Sequence, residues 1–223
     1  MTSSEGTTRQ RYALVMLLSL AAVLVAVAVP DTQDTRAIML AIQGLALIVA
    51  IVAARDHERL RRGTAIALGV VLLVCCVLSG FGVITGDVRV PFALAIALAT
   101  PLVMIRGLVR LLRERGVVLQ AVFGALAIYL QVGLIFAFCA AGIGAIEGTP
   151  FFGGSDASNI NDFVYFSFTT MSTTGYGDYT AATDAGRSLA VLEMLIGQIY
   201  LVTVVGLLIG NIGRQRVKDA ETT

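Results

Sequence analysis

The chain has 223 residues, of which 57% are hydrophobic and 14% charged, with a formal net charge of +1. Soluble domains carry about 25% charged residues, so this composition excludes an ordinary water-soluble domain and points to an integral membrane protein, and it holds no excess of basic charge for nucleic acid. One histidine (His57) and three cysteines in apolar runs (Cys75, Cys76, Cys139) supply neither a nucleophile–base set nor a metal-ligand spacing, so neither an enzyme nor an organic cofactor is expected.

Six long apolar runs follow in chain order, over residues 12–29, 37–54, 64–85, 90–109, 117–146 and 188–212. Each can cross a hydrocarbon core about 30 Å thick, which takes about 20 helical residues. The first two are short at 18 residues, and the fifth is long enough to tilt or protrude. The fourth contains Pro101, a candidate kink. With the N-terminus placed inside, the inner segments hold Arg9, Arg11, Arg55, Arg59, Arg61, Arg62, Arg106, Arg110, Arg113, Arg115, Arg214, Arg216 and Lys218. The outer segments hold only Arg36, Arg89 and Arg187. That asymmetry predicts six spans with both termini cytoplasmic in a cell membrane. The Arg-rich, Lys-poor usage points to a bacterium. A rival reading makes residues 1–28 a cleaved secretory signal, with Arg9 and Arg11 as its basic end and Ala26-Val27-Ala28 as its cleavage site. Its apolar run is longer than the usual 7–15 residues.

The one long connection, residues 147–187, lies on the outer side. Within it, residues 160–171 read INDFVYFSFTTM. Asn159 or Asn161 can cap a helix here. The apolar stretch is too short to span and suits a helix that enters the membrane part-way. The partial negative charge at its C-terminal end would favour a cation near the midplane. STTGYGD follows at 172–178. Aiming successive carbonyls to one side of an extended backbone requires alternate left-handed residues, and glycine accepts that conformation. Gly175 and Gly177, two apart, allow Thr173, Thr174, Gly175 and Tyr176 to present carbonyls to one axis, with the Thr173 hydroxyl below. Non-helical backbone at such depth is tolerated where it lines a polar path, and rings of oxygens of this kind replace an ion's hydration shell. The Tyr176 side chain is expected to point away from that axis toward Phe163, Tyr165 and Phe166. Asp178 can accept a hydrogen bond from Tyr165.

STTGYGD resembles the selectivity filter of potassium channels, and DFVYFSFTTM resembles their pore helix. The spacing onward to Gly186-Arg187 and Gly197 is similar to the family's outer turn and hinge glycine. The resemblance covers about residues 117–213. It departs at Thr174, where valine or isoleucine is commoner. It implies an all-α membrane protein of six transmembrane helices plus a re-entrant pore helix and selectivity filter, assembling as a homotetramer in membrane lipid. The implied organisation is a cytoplasmic N-terminus (1–11), a four-span module (12–109), a cytoplasmic linker (110–116), a pore module (117–213) and a cytoplasmic tail (214–223). The pore module divides into an outer helix (117–146), pore helix (160–171), filter (172–178) and inner helix (188–212). The implied function is passive, selective conduction of K+, with the ion held by Thr173, Thr174, Gly175, Tyr176 and Gly177. Asp178, Tyr165 and Phe166 support the filter. No cytoplasmic regulatory domain is evident. The alternatives are a pore-loop subunit of a cation transporter, or a membrane subunit that does not conduct.

In the last span, Gly197 is either a hinge or a close-packing site, and Leu201, Val204, Val205 and Leu208 share one face as candidate cavity or gate residues. Gly206 and Gly210 fit close packing or a narrow inner constriction. Glu193 is an ionisable residue within a span, either bonded to Thr169 or Thr170 of the pore helix or titratable in gating. Gln198 either lines the cavity or bonds a neighbour. A four-span module before a pore resembles the voltage-gated arrangement, yet the fourth run holds only Arg106 near its inner end, and no acid falls within the first three. Steep voltage dependence is therefore not expected, and a weakly voltage-dependent channel is the variant reading.

Overall fold

The computed structural model describes residues 3–53, 89–115, 119–154 and 159–211. The predicted third span (64–85), with Cys75, Cys76 and His57, lies outside the described residues, as does the tail beyond 211. The described chain is helical: α1 (Ser3–Ala28), α2 (Gln33–Ala53), α3 (Arg89–Arg115), α4 (Leu119–Glu147), α5 (Ile160–Met171) and α6, which begins as Asp184–Ile199. The chain of α6 continues through a wide π turn, Tyr200–Val205, and on to Asn211. Among the described residues, four segments are long and apolar enough to cross a membrane: Gln10–Ala28, Ala95–Arg113, Leu119–Glu147 and Asp184–Asn211. In α2 the apolar part is shorter, Ile38–Ala53.

One expected boundary is corrected. The inner helix starts at Asp184 rather than residue 188, because Thr183 caps it: its Oγ1 accepts from Gly186 N at 3.1 Å. The segment from residue 110 onward, read as a linker, is helical. It continues α3 without a break to Arg115, since Leu, Val and Arg are all good or tolerated helix formers there. Pro101 sits inside the same helix, and the neighbouring Thr100 hydroxyl donates to the Ile96 carbonyl one turn back at 3.0 Å. Its buried hydroxyl is thereby satisfied without water.

Helix α4 is the hub, packed against α1, α3, α5 and α6. Its sequence is apolar on all sides, with no charge before Glu147, as a helix surrounded by others requires. One half of it joins Tyr12 and Val15 of α1, Met104 and Leu108 of α3, and Val205 and Leu208 of the inner helix in a single buried cluster. The other half joins Val23 and Ala26 of α1 to Phe163, Val164 and Phe166 of α5. Small residues set the spacing. A Cβ on Gly124 would lie 3.2 Å from the Tyr12 ring, and one on Gly133 would lie 2.7 Å from the Phe168 ring. Between the two clusters Gln131, fully buried, donates through Nε2 to Ser19 Oγ at 2.9 Å and to Gln43 Oε1 at 3.0 Å. Polar groups in an apolar environment find one another in this way, and here they tie α1 and α2 to α4.

Candidate functional site

The site is built from the end of α5 and the loop that follows it. At the start of α5, Asn159 Oδ1 accepts from the backbone N–H groups of Asn161 (3.0 Å) and Asp162 (3.2 Å). The Asp162 carboxylate accepts in return from Asn159 N at 3.0 Å, a reciprocal capping box. Asn161, the other candidate cap, instead donates to the Val29 carbonyl at 2.6 Å and so anchors α5 to the end of α1. Helix α5 occupies Ile160–Met171, the range read from the sequence.

Three of its last four carbonyls accept from the residues that follow. Ser172 N donates to Phe168 O (3.1 Å), Thr173 N to Thr170 O (2.9 Å), and both Thr174 N (2.9 Å) and Gly175 N (3.1 Å) to Thr169 O. These bonds satisfy three of the acceptors that a helix end exposes and fold the loop back onto the helix. The Ser172 hydroxyl donates to Phe168 O at 2.7 Å and lies 2.8 Å from Thr174 Oγ1. With the Ser172 proton spent on Phe168, Thr174 is the donor of the second bond. The hydroxyl that distinguishes Thr174 from valine therefore bonds within the loop.

From here the backbone alternates. Thr173, Gly175 and Gly177 have φ of +59°, +51° and +81°, whereas Ser172 at φ −80° is an ordinary cap residue. Space does not dictate the two glycines, since an added Cβ at either meets nothing within 4 Å. The positive φ does. Thr173 takes the same conformation despite its β-branch, which is an uncommon and strained choice; the sequence alone pointed only to the glycines. Its hydroxyl oxygen accepts from Gln198 Nε2 at 2.9 Å. That bond joins Gln198 of the inner helix to the loop.

The outer end of the loop is held by phenols. Tyr165 donates to Asp178 Oδ2 at 2.8 Å, and Asp178 Oδ1 accepts from Tyr179 N at 3.0 Å. Tyr179 in turn donates to Asp162 Oδ1 at 3.0 Å. Both phenols have pKa values raised above the ordinary tyrosine value, chiefly because each gives its proton to a carboxylate, Tyr165 to Asp178 and Tyr179 to Asp162. Tyr176 stacks on Tyr165, with centroids 6.4 Å apart and planes 11° from parallel, but it is otherwise exposed. Its expected packing on Phe163 and Phe166 is not observed, because Phe151 and Phe152 take those partners. The rings of Phe151, Phe152, Phe163, Phe166 and Tyr179 form one group with centroids 5.0–5.7 Å apart, edge-to-face except for the tilted Phe152–Phe163 pair. Gly153 N donates to Thr180 O (3.0 Å) and Ala182 N to Phe151 O (2.9 Å), which pins this segment beside the stretch after the loop. Within the connection 147–187 the sequence reading did not single out this anchor. The adjacent aromatics Phe151-Phe152 were its only signal.

The inner helix meets the loop from below. A Cβ on Gly197 would collide with the Met171 carbonyl oxygen, so Gly197 is a close-packing position within regular helix. The departure from α geometry comes later, at Tyr200–Val205, where the Tyr200 hydroxyl donates to Ala125 O of α4 at 2.8 Å. A π turn advances the helix by an extra residue, and this changes which residues face which way. Val205 and Leu208 are buried against α4, with Leu201 and Val204 packed on the same cluster. The face chosen from simple 3.6-residue periodicity as the gate is therefore corrected: in this chain it is an α4-facing side. Val202 and Thr203 are the exposed residues of the π turn. Among the described residues Gly206 and Gly210 have no close neighbours; the nearest atom to a Cβ on Gly206 is 3.8 Å away.

Glu193 is buried, at 1% exposure. Its partner is Ser167 rather than Thr169 or Thr170, because Ser167 is the hydroxyl of α5 that the packing turns toward α6. Thr169 spends its own hydroxyl on Phe166 O at 3.0 Å.

Residues 124–213 match the model of a family described as "Ion channel". A 77-residue stretch is 36% identical to "Two-pore potassium channel 4" of Arabidopsis thaliana, covering 34% of this chain and 27% of that protein. The chain thus spans about a quarter of the length of the curated relative it matches. No solved structure matches the chain. The matched residues comprise most of α4, all of α5, the alternating loop and all of the described α6. Their family is one of channels, not of enzymes: the chain is a membrane protein with an ion-channel pore domain at residues 124–213.

Proposed function

We propose that residues 172–178 are the selectivity filter of a passive potassium channel, formed where four copies of this chain meet. The carrying observation is the alternation of positive φ at Thr173, Gly175 and Gly177. A chain that reverses its peptide planes at every second residue can turn consecutive carbonyls to one side. Thr173, Thr174, Gly175 and Tyr176 then hold K+, with Gly177 completing the turn outward. One copy provides one wall, and a closed ring of oxygens needs symmetric copies. The openness around Gly175 and Gly177 fits a surface that faces other copies across an axis. Asp178 and Tyr165 hold the outer end in place. Phe166 acts from behind the loop, through the aromatic group. The gate lies below, near Val202 and Thr203 at the π turn, with Gly197 fixing the inner helix to the loop above it. The domain order follows: a four-span module over 12–109 and a pore module over 117–213, with both termini cytoplasmic in a cell membrane.

The test is ion flux in liposomes that hold the purified protein. Wild type is expected to pass K+ well ahead of Na+ and to have the mass of a tetramer. Equal passage of Na+ and K+, or a monomeric mass, overturns the reading, and flux coupled to a second gradient would make the protein a transporter subunit. Gly177→Ala forces a Cβ onto a residue at φ +81°, at a cost of about 1–2 kcal/mol. Selective flux is expected to be lost while the tetramer still forms.

A further inference from the structure

Glu193 presents a proton-counting problem. Its carboxyl group lies between helices, deep in a segment apolar enough to span the membrane. A buried carboxylate needs a cation or a full set of donors, and among the described residues the surrounding elements offer neither. Helices α4 and α5 contain no lysine or arginine. The only one in the Asp184–Ile199 part of α6, Arg187, has its Nη1 3.6 Å from Asp184 Oδ1. The titratable groups of α4 that interact with Glu193 are Tyr129 and Cys139, neither of which is a cation. The titratable side chains of α5, Asp162 and Tyr165, are engaged with Tyr179 and Asp178. Tyr200 is bonded to Ala125 O.

That leaves Ser167, whose hydroxyl has one proton and two close oxygen neighbours. Its Oγ lies 2.6 Å from the Gly133 carbonyl oxygen and is also in a short hydrogen bond with Glu193 Oε1. A carbonyl oxygen only accepts, and an ionised carboxylate only accepts. If Glu193 were ionised, one hydrogen would have to serve both contacts. If Glu193 is a neutral acid, its O–H donates to Ser167 Oγ, and the Ser167 O–H donates to Gly133 O. Every contact then has its own proton.

We infer that Glu193 is a neutral carboxylic acid whose proton completes a relay, Glu193 to Ser167 to the Gly133 carbonyl, and that this relay makes it a positioning residue for the pore helix. The relay joins the three helices α6, α5 and α4. It sits between two places where glycine lets backbones approach: Gly133 against the Phe168 ring and Gly197 against the Met171 carbonyl. Met171 is the last residue of α5, next to the loop. A negative charge on Glu193 would leave Ser167 one proton short and drive α6 away from the helix that carries the loop. The positioning role rests on the filter reading above; the protonation state does not.

Infrared spectra of the purified protein near neutral pH separate the two claims. Wild type is expected to show a carboxylic-acid C=O band that is absent from Glu193→Gln. If the difference spectrum contains only carboxylate bands, the protonation claim is overturned, whatever the ion flux. For the role, Glu193→Gln retains a donor to Ser167 and is expected to keep K+ selectivity near wild type. Glu193→Ala and Ser167→Ala break the relay and are expected to lose it. Wild-type selectivity in both alanine variants overturns the positioning role. If wild type itself lacks selective flux, the filter reading fails instead, and the infrared result stands on its own.

Discussion

At Tyr165 and Tyr179 single protons hold the outer end of the loop. Each phenol must keep its hydrogen to donate to Asp178 or Asp162. The folded state raises both pKa values above the ordinary tyrosine value of about 10. The stability these bonds contribute is therefore fully present below about pH 10 and is lost as pH rises through the raised folded values. Melting temperature against pH is expected to fall on the alkaline side in wild type. Tyr165→Phe is expected to start lower and to lose less between pH 9 and pH 12. An unchanged alkaline slope in that variant would mean that the bond to Asp178 contributes nothing. The hydroxyl that sets Thr174 apart from the commoner valine or isoleucine is likewise engaged locally, 2.8 Å from Ser172 Oγ.

Helix α6 carries two irregularities that sequence periodicity treats alike and packing separates. Gly197 is small because the Met171 carbonyl occupies the space its Cβ would need. The bend in geometry belongs instead to Tyr200–Val205. Gly197→Ala is expected to overpack this contact and cost about 1–3 kcal/mol, measured as a lower denaturation midpoint together with lost flux. Gly210→Ala, where nothing among the described residues lies within 4 Å of the new Cβ, is expected to leave the midpoint within about 0.5 kcal/mol of wild type. If Gly197→Ala loses flux at an unchanged midpoint, Gly197 acts as a hinge rather than as a contact.

For the whole molecule, the distribution of charge across the membrane bears on voltage. One charge crossing the full field is worth about 2.3 kcal/mol per 100 mV. Within the apolar part of α3 the basic residues are Arg106, Arg110 and Arg113, all in its second half, where they cross little of the field. α1 adds Arg11 near its start, donating to Val52 O at 3.3 Å. Open probability is accordingly expected to change less than e-fold per 25 mV, about one gating charge by the same relation, in single-channel records from planar bilayers. A steeper response would show that α1–α3 form a working sensor. The buried Gln131–Ser19–Gln43 contact provides a route by which these helices bear on α4 without moving charge.

Composition and short-range chemistry determined much of this protein. The apolar runs gave α1, α2 and the spans of α3, α4 and α6, because a hydrocarbon solvent leaves the backbone few choices. Asn159 and Asp162 fixed where α5 starts, and Gly175 and Gly177 marked two of the three left-handed positions, since these are local properties of capping groups and of the missing Cβ. Tertiary structure decided the rest. Thr173 adopts the third left-handed position only because α5 carbonyls and Gln198 hold it there. Phe151 and Phe152 reach Phe163 and Phe166 only when the chain doubles back. The π turn rotates Leu201 and Val205 toward α4, and no residue pattern announces a change from 3.6 residues per turn. Ser167, Glu193 and Gly133 lie far apart in sequence, and the bonds they form depend on three helices coming together around shared protons.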